Sequence, residues 1–201
     1  MSAEPIADEL PAPWQPDPVR QRLADYTLED LLNLPPDAPR VELVDGVIHV
    51  VPSPTEDHQD ITGLLWSWLR THAPREYKAV MAVGVAVTAR DTREPDVLLR
   101  HAGGETSRHF FTPEQVVLAV EVVSTSTRRT DRLIKPVEYA AAGIPFYWRV
   151  EQDPVHVFAY RLSAQPGLSG RREYELVAES AQLLELPQPF PLALPIAEIT
   201  P

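Results

Sequence analysis

The chain has 201 residues, of which 44% are hydrophobic and 23% charged, which is typical of a soluble globular protein with one sizeable core. Its formal net charge of -11 excludes a protein that binds nucleic acid with its whole surface and leaves only a local basic patch for that purpose. The absence of cysteine excludes disulfides, thiol catalysis and cysteine-ligated metals. There is no apolar run of about 18 residues and no basic-then-apolar leader, so we expect a cytoplasmic protein without membrane contact.

Prolines are concentrated at the two ends of the chain. Five of the 22 prolines fall within the first 18 residues and five within the last 15. Because proline fixes φ and lacks an amide hydrogen, both ends are expected to be extended or irregular. We predict that residues 1–20 form a Pro-rich, flexible tail and that residues 21–201 form a single domain.

The first half of the chain predicts two helices and several short strands. Thr27 and Asp30 are spaced as a capping box, which predicts a short helix ending near Asn33. Asp45-Gly46 between two β-rich runs predicts a hairpin, and apolar residues at helical spacing predict a longer helix. The predicted elements are a helix at 27–33, a hairpin at 41–51, a helix at 57–71, a strand pair or one long strand at 78–89, a turn at 91–93 and a strand at 95–100.

The second half predicts a central strand followed by a helix and further strands. Residues 116–123 (VVLAVEVV) are apolar at both odd and even positions, as expected for a strand that is covered on both faces of the sheet. Gly143 and Pro145 end a predicted helix over 128–142. Further strands are predicted at 146–150, 155–162 and 174–179, and a polar loop at 101–113. This order predicts an α/β (α+β) fold with a mixed central sheet and helices on its faces.

Glu121 is the one charged residue in the most apolar predicted strand. A buried, unpaired carboxylate is costly or shifts its pKa, so a compensating group is expected beside it. That group can be a metal ion or a set of hydrogen-bond donors. The alternative is structural: an ion pair with a Lys or Arg of a covering helix, or a position at the strand end in solvent.

Asp96 follows Pro95 at the start of another apolar strand. On its own, this pattern is typical of a turn residue before an edge strand. Taken together, Asp96 and Glu121 place lone acids on two apolar strands. Mg²⁺ in proteins uses one or two carboxylates together with water and substrate phosphates. The pair therefore predicts a divalent-cation site.

Four positive charges lie within eight residues of the predicted helix: Arg128, Arg129, Arg132 and Lys135. In so acidic a chain, a dense basic patch of this kind is suited to a phosphate backbone. The alternative is a solvated helix face on which Asp131 and Glu138 pair locally with these cations.

Several segments of the chain resemble one family. They are VELVDGVI, PSPTEDHQ, EPDVLL and LAVEVVSTSTRRTDRLIKPVEYAAAGIPFYWRV, with ELVAE and PLALPIAEI near the end. These segments resemble the Uma-two family of bacterial endonucleases, in the restriction-endonuclease-like PD-(D/E)XK superfamily. The resemblance runs from about Tyr26 to the C-terminus and is most specific between Glu121 and Trp148. It implies a restriction-endonuclease-like core with an N-terminal helix and β-hairpin before the central sheet and β additions at the C-terminal end.

The resemblance implies roles for individual residues. Asp96 matches the first metal-binding acid of the superfamily, and Glu121 matches the acid of its E-x-K element. Val123 stands where that element has its lysine. In this family the lysine has moved to the following helix, and Lys135 occupies that place.

Two further positions and one departure bear on the same site. Glu42 and His58 match recurrent positions of the family and are additional candidates for metal ligands; Glu42 could instead hold the hairpin, and His58 could contact phosphate or lie near a helix N-terminus. Pro136 directly follows Lys135, where the family has an aliphatic residue. We expect the helix either to begin at Pro136 or to kink there, and both options change how Lys135 is aimed.

The resemblance implies a metal-dependent nuclease that hydrolyses phosphodiester bonds of nucleic acid, with DNA as the expected substrate. Asp96 and Glu121 would hold Mg²⁺ or Mn²⁺, Lys135 would orient the attacking water, and the three arginines of the basic patch would bind the backbone. The alternative is a non-catalytic protein on the same fold that binds nucleic acid or protein as a homodimer.

Overall fold

The computed structural model describes residues 14–103, 109–167 and 170–201. The helices are α1 (Pro18–Leu23), α2 (Leu28–Leu32), α3 (Glu56–His72) and α4 (Lys135–Ala142). The strands are β1 (Val41–Val44), β2 (Val47–Val50), β3 (Tyr77–Met81), β4 (Gly84–Thr88), β5 (Asp91–Arg93), β6 (Val97–His101), β7 (Phe110–Phe111), β8 (Val116–Val122), β9 (Phe146–Gln152), β10 (Val155–Leu162), β11 (Tyr174–Ser180), β12 (Leu183–Leu186) and β13 (Leu192–Pro195). Short 3₁₀ turns cover Pro113–Gln115 and Ile196–Ile199.

A six-stranded sheet forms the centre of the fold, in the order β11-β10-β9-β8-β6-β3. Strands β8 and β9 run parallel, whereas every other neighbouring pair in this sheet is antiparallel. The parallel pair requires a crossover connection, which the helix over 128–142 provides. The predicted α+β fold with a mixed central sheet is therefore confirmed.

The hairpin and the first predicted helix form as the sequence indicated. Strands β1 and β2 pair antiparallel around Asp45 and Gly46, whose φ angles of 50° and 80° are those of a tight hairpin turn. At the start of α2, the amide and hydroxyl of Thr27 donate to Asp30 Oδ2 at 2.8 and 2.9 Å, which completes the capping box.

The middle of the chain departs from the predictions at two places. Residues 78–89 form two strands, β3 and β4, as one of the two alternatives had it, but these strands do not pair with each other, because β4 pairs with β5 and β7 in a small separate sheet. Residues 91–93 form the strand β5 rather than a turn. Here Thr92 is buried and accepts a hydrogen bond of 3.0 Å from the Leu43 amide, and Arg93 pairs with Val85. The predicted loop at 101–113 contains β7; residues 104–108 of it lie outside the described residues.

The predicted helix over 128–142 contains a π-helical turn at Thr130–Ile134, followed directly by α4. The Lys135 amide donates to the Thr130 carbonyl, five residues back. Pro136 is the second residue of α4. Because it has no amide hydrogen, it cannot donate the backbone hydrogen bond of either an α-helix or a π-helix. The helix ends at Gly143, which has the left-handed φ of 86°.

The predicted N-terminal tail is only partly described by the structure. Residues 1–13 lie outside the described residues, whereas residues 14–20 belong to the fold. Trp14 packs against a small core of Tyr26, Leu31, Leu43 and Ile48. Asp17 caps α1, and Arg20 forms ion pairs with Asp25 and Asp30. This segment is therefore anchored by apolar and ionic contacts that its proline content did not indicate.

Two hydrophobic cores lie on opposite faces of the central sheet. The larger core packs α3 and the hairpin β12–β13 against one face. The smaller core packs α4 and β4 against the other, around residues such as Tyr139, Tyr147 and Leu98. Within the part of the chain that the structure describes, no helix is long and apolar enough to cross a membrane.

Candidate active site

A pocket of about 250 Å³ opens at the end of β8 where the chain leaves the central sheet. Its walls are the loop between β2 and α3, the segment that precedes β6 and the loop that follows β8. The pocket brings together five residues that the sequence predicted for the site: Glu42, His58, Asp96, Glu121 and Lys135.

Lys135 points into this pocket, and its ammonium is shared by three carboxylates. Nζ lies 2.8 Å from Glu121 Oε2, 3.3 Å from Asp131 Oδ1 and 3.6 Å from Glu42 Oε1. Burial opposes the charged form, but these carboxylates outweigh it and raise the pKa of Lys135 above its usual value. Pro136 therefore does not turn the lysine away from Glu121.

Glu121 is 2% exposed, and both of its oxygens have a partner. Oε2 accepts from Lys135 at 2.8 Å, and Oε1 accepts from the Tyr139 hydroxyl at 2.7 Å. Burial raises the pKa of Glu121 well above the usual range, and the nearby charges of Asp131 and Asp96 add to the increase, while Lys135 opposes it. The ion pair with a lysine of the covering helix, which was the structural alternative, is present and involves the predicted catalytic lysine.

Asp96 faces the same pocket from the segment before β6. Its Oδ2 lies 3.2 Å from His58 Nε2 and accepts the Val122 amide at 2.8 Å. Burial alone would raise the pKa of Asp96, but the contact with His58 and the charges of His58 and Lys135 outweigh it and lower the pKa. Asp96 is therefore held as a carboxylate directly beside the strand that carries Glu121.

His58 is placed by the N-terminal turn of α3. Its amide donates to the Thr55 hydroxyl at 3.4 Å, which caps the helix. The ring is 8% exposed, with Nε2 turned towards Asp96. Among the described residues, the buried Nδ1 has no hydrogen-bond partner. The histidine thus orients the Asp96 carboxylate.

Glu42 is connected to α4 by a buried arginine. Arg93 donates through Nη1 to Glu42 at 2.9 Å and through Nε and Nη2 to both oxygens of Glu138 at 2.7 and 2.8 Å. The Glu94 amide also donates to Glu42 at 3.1 Å. Burial works to raise the pKa of Glu42, but Lys135 and Arg93 outweigh it and lower the pKa. Glu42 therefore both holds the hairpin and faces Lys135.

The predicted arginine patch does not line this pocket. Arg128 and Arg129 are exposed at the start of the helix, next to the loop that forms the pocket wall. Arg132 donates to both oxygens of Glu151 at 2.9 and 2.7 Å, so its charge is partly balanced.

Four residues of the network were not predicted as members of the site: Asp131, Tyr139, Arg93 and Glu138. Asp131 precedes Lys135 by four residues, a spacing that places both on one helix face and could have identified it. The partner of Glu138 is Arg93, 45 residues away, and no local pattern indicates such a pair.

The charge balance of the pocket fits a divalent cation. Three carboxylates (Glu42, Glu121 and Asp131) contact the one lysine, and a fourth, Asp96, faces the same pocket beside His58. The other buried cation, Arg93, also serves Glu138. Asp131 Oδ1 is buried without a well-directed hydrogen bond, and burial raises the pKa of this carboxyl. No three acidic or histidine groups converge as ready metal ligands in the described ranges. A cation would therefore take one or two carboxylates, with water as its remaining ligands.

The sequence matches one protein family over most of its length. The family, Uma2, is described as "Putative restriction endonuclease" and matches residues 28–197. The chain belongs to the Uma2 family. No curated protein matches the sequence.

A solved structure supports the Uma2 assignment at the level of the fold. It is described as a "putative nuclease belonging to DUF820" from Anabaena variabilis, and it is 22% identical with a TM-score of 0.64. The match covers 86% of this chain and 96% of that chain. The predicted nuclease fold is thereby confirmed.

Proposed function

We propose that this chain is a metal-dependent nuclease that hydrolyses phosphodiester bonds of DNA in the pocket at the end of β8. The observation that carries the proposal is the contact of Lys135 Nζ with Glu121 at 2.8 Å, with Asp96 on the wall of the same pocket. A lysine beside two acids at the ends of two interior strands is an arrangement that can hold a cation and a phosphate together.

In this proposal the acidic residues of the pocket bind the cation, and Lys135 contacts the attacking water or the phosphate. Asp96 and Glu121 would hold Mg²⁺ or Mn²⁺, and Asp131 and Glu42 would supply further negative charge. When bound, the cation acts as a Lewis acid and lowers the pKa of a bound water. The Lys135 ammonium donates to the attacking water or to a phosphoryl oxygen, on which negative charge increases in the transition state. His58 keeps the Asp96 carboxylate oriented.

The alternative is a non-catalytic binding protein on the same fold, and one observation favours it. Both oxygens of Glu121 already have protein donors, so the ion cluster is internally satisfied at that residue. Each oxygen keeps a second lone pair, so a cation that binds there would share Glu121 with Lys135 and Tyr139. A homodimer that binds nucleic acid or protein would use the surface rather than this pocket.

A nuclease assay with matched variants separates the two functions. Plasmid, linear and single-stranded DNA are incubated with Mn²⁺ and the wild type, Asp96→Asn, Glu121→Gln or Asp60→Asn. Asp60 is an exposed acid on α3 outside the pocket, and its variant is the control. We expect cleavage by the wild type and the control, and loss of cleavage in the two pocket variants. Absence of cleavage by the wild type, together with absence of Mn²⁺ binding in calorimetry, would establish the non-catalytic alternative.

A further inference from the structure

A second cleft lies on the other side of the helix that carries Lys135. Its volume is about 450 Å³, and it is bounded by this helix, by β9 and β10, and by the start of β11. Asp131 and Lys135 line the first pocket, whereas Arg132 and Pro136 line this cleft. The two cavities are therefore separated by the thickness of one helix.

Aromatic rings from three neighbouring strands line the cleft. The ring centroid of Tyr147 lies 5.8 Å from that of Tyr160 and 5.7 Å from that of Tyr174. Two hydroxyls are fixed by backbone carbonyls, since Tyr147 donates to Asp131 and Tyr174 donates to Ile144. Tyr160 and Tyr174 remain partly exposed. Tyr147 itself is buried, so the aromatic surface on which a flat ring can stack is formed by Tyr160 and Tyr174.

Positive charge exceeds negative charge around these rings. Four arginines line the cleft against one glutamate. Arg132 and Arg149 share a single carboxylate, because Glu151 lies 2.7 Å from Arg132 and 3.1 Å from Arg149. In a chain of net charge -11, this is a local cationic surface. An aromatic floor with guanidinium groups around it matches the chemistry of a nucleotide, which joins a flat base to an anionic phosphate.

Two occupants fit an aromatic and cationic cleft of this kind: a nucleic acid strand or a second copy of this chain. The exposed Leu133 and Val137, at 64% and 54%, border the cleft and would suit either. A two-fold contact centred here, however, would bring the arginines of one copy against the same arginines of the other. A strand meets no such repulsion, and Arg128 and Arg129 add two exposed positive charges at the start of the same helix. The charges therefore favour the strand.

We infer that this cleft binds a nucleotide of a single strand that continues from the first pocket, with its base on the tyrosines and its phosphate at the arginines. The inference rests on the proposed nuclease function and adds a substrate class, since a base can enter the cleft only when it is unpaired. The helix over 128–142 then lies between the cleaved phosphate and the stacked base.

Binding in the absence of divalent cations tests the cleft separately from catalysis. The probe is a labelled DNA single strand of about 12 nucleotides in EDTA, a length within the site sizes of single-strand binders. We expect Tyr160→Leu and Arg172→Glu to weaken binding about tenfold, through lost stacking and lost phosphate contact. The control is Arg161→Glu, which reverses an exposed charge on the same strand β10 but outside the cleft. It should bind as the wild type does.

Photo-cross-linking with a strand that contains 5-iodouracil locates the contact directly. A cross-linked peptide that contains Tyr160 or Tyr174 supports the inference. Wild-type affinity in both cleft variants overturns it, even if the wild type cleaves DNA, so the cleft and the nuclease can fail independently. Equal affinity for deoxyadenosine monophosphate and for the strand assigns the cleft to a free nucleotide and overturns the strand. A dimer that dissociates in Tyr160→Leu with DNA binding unchanged assigns the cleft to a second copy.

Discussion

At the scale of single residues, Lys135 and Glu121 are in contact but respond to burial in opposite ways. Lys135 stays charged although it is only 6% exposed, because Glu121, Asp131 and Glu42 surround its ammonium. Glu121 has the opposite tendency, because burial and two neighbouring acids favour its protonated form. Perturbed pKa values of this kind are typical of functional sites. The contact between Lys135 and Glu121 is one that an entering phosphate or cation would change, since the phosphate would attract the ammonium and the cation would attract the carboxylate.

Replacement of Lys135 by alanine should separate chemistry from cation binding. We expect turnover of DNA with Mn²⁺ to fall by orders of magnitude, because the ammonium acts mainly on the transition state. Mn²⁺ affinity in calorimetry should stay the same or rise, since a positive charge close to the carboxylates opposes a divalent ion. Lys78→Ala, which removes an exposed lysine from β3, is the control and should change neither quantity. Wild-type turnover in Lys135→Ala would exclude a catalytic role for this lysine.

Glu121→Gln should change stability in a pH-dependent manner. A carboxyl whose pKa is raised by folding stabilises the protein below its unfolded pKa, and this contribution is lost as pH rises through the folded pKa. The melting temperature of Glu121→Gln relative to the wild type should therefore increase from acidic to alkaline pH. Added Mn²⁺ should raise the melting temperature of the wild type more than that of the variant.

The control for this measurement is Glu185→Gln, which alters an exposed glutamate on β12. It removes one exposed carboxylate away from the pocket and should melt close to the wild type. A Glu121→Gln variant that melts far below the wild type at every pH would instead identify Glu121 as a structural ion-pair partner.

At the scale of elements, one buried arginine joins the hairpin to α4. Arg93 on β5 contacts Glu42 on β1 and Glu138 on α4, and all three groups are wholly or mostly buried. The position of Lys135 depends on the same helix. The hairpin, β5 and α4 are therefore joined by buried ion pairs beside the pocket.

Arg93→Ala should destabilise the protein strongly, by about 3–5 kcal/mol, because it removes a buried cation from Glu42, which keeps only the longer contact with Lys135, and from the partly buried Glu138. Chemical denaturation gives this free energy of unfolding. The matched control is Arg132→Ala, which also removes a two-bond contact to a carboxylate but at an exposed site. A similar loss in both variants would show that burial does not determine the strength of these pairs.

The sequence predicted the elements whose signals are local. The hairpin at Asp45-Gly46 and the helix end at Gly143 each depend on a few neighbouring residues, and both were correct. The strand β5 was missed because Thr92 is held by a hydrogen bond from Leu43, which is distant in sequence, and no local pattern indicates that contact. The π-helical turn before α4 was missed because Pro136 indicates an interrupted helix but not how the turn before it widens.

For the pocket, the sequence identified residues by their unusual surroundings and by family resemblance. Glu121 stood out as a carboxylate in an apolar strand. Lys135 stood out as a member of the basic patch, and only its catalytic role came from the resemblance. The sequence could not show that Lys135 pairs with Glu121, since that contact depends on how the crossover helix packs against β8. The roles assigned to these residues stay predictions until the assays are made.

At the scale of the whole molecule, the predicted N-terminal tail contains residues that contact the folded domain. Removal of residues 1–13 should leave the melting temperature unchanged, because that stretch is Pro-rich with few apolar anchors. Removal of residues 1–20 should lower it, because Trp14 packs on the core below α2 and Arg20 pairs with Asp30. Thermal unfolding of the two truncated chains tests this. Equal melting temperatures would mean that residues 14–20 contribute nothing to stability.

Because its two cores lie on opposite faces of the central sheet, the molecule can accept substitutions on one face without changing the packing on the other. The ion cluster around Lys135 belongs to the side of the smaller core, whereas α3, β12 and β13 complete the larger core on the other face. Substitutions in the cluster do not touch the larger core, so a descendant of such a chain would lose the proposed activity and still keep that core. Among proteins of this shape, activity should therefore follow the few charges at the end of β8 and vary independently of the architecture that carries them.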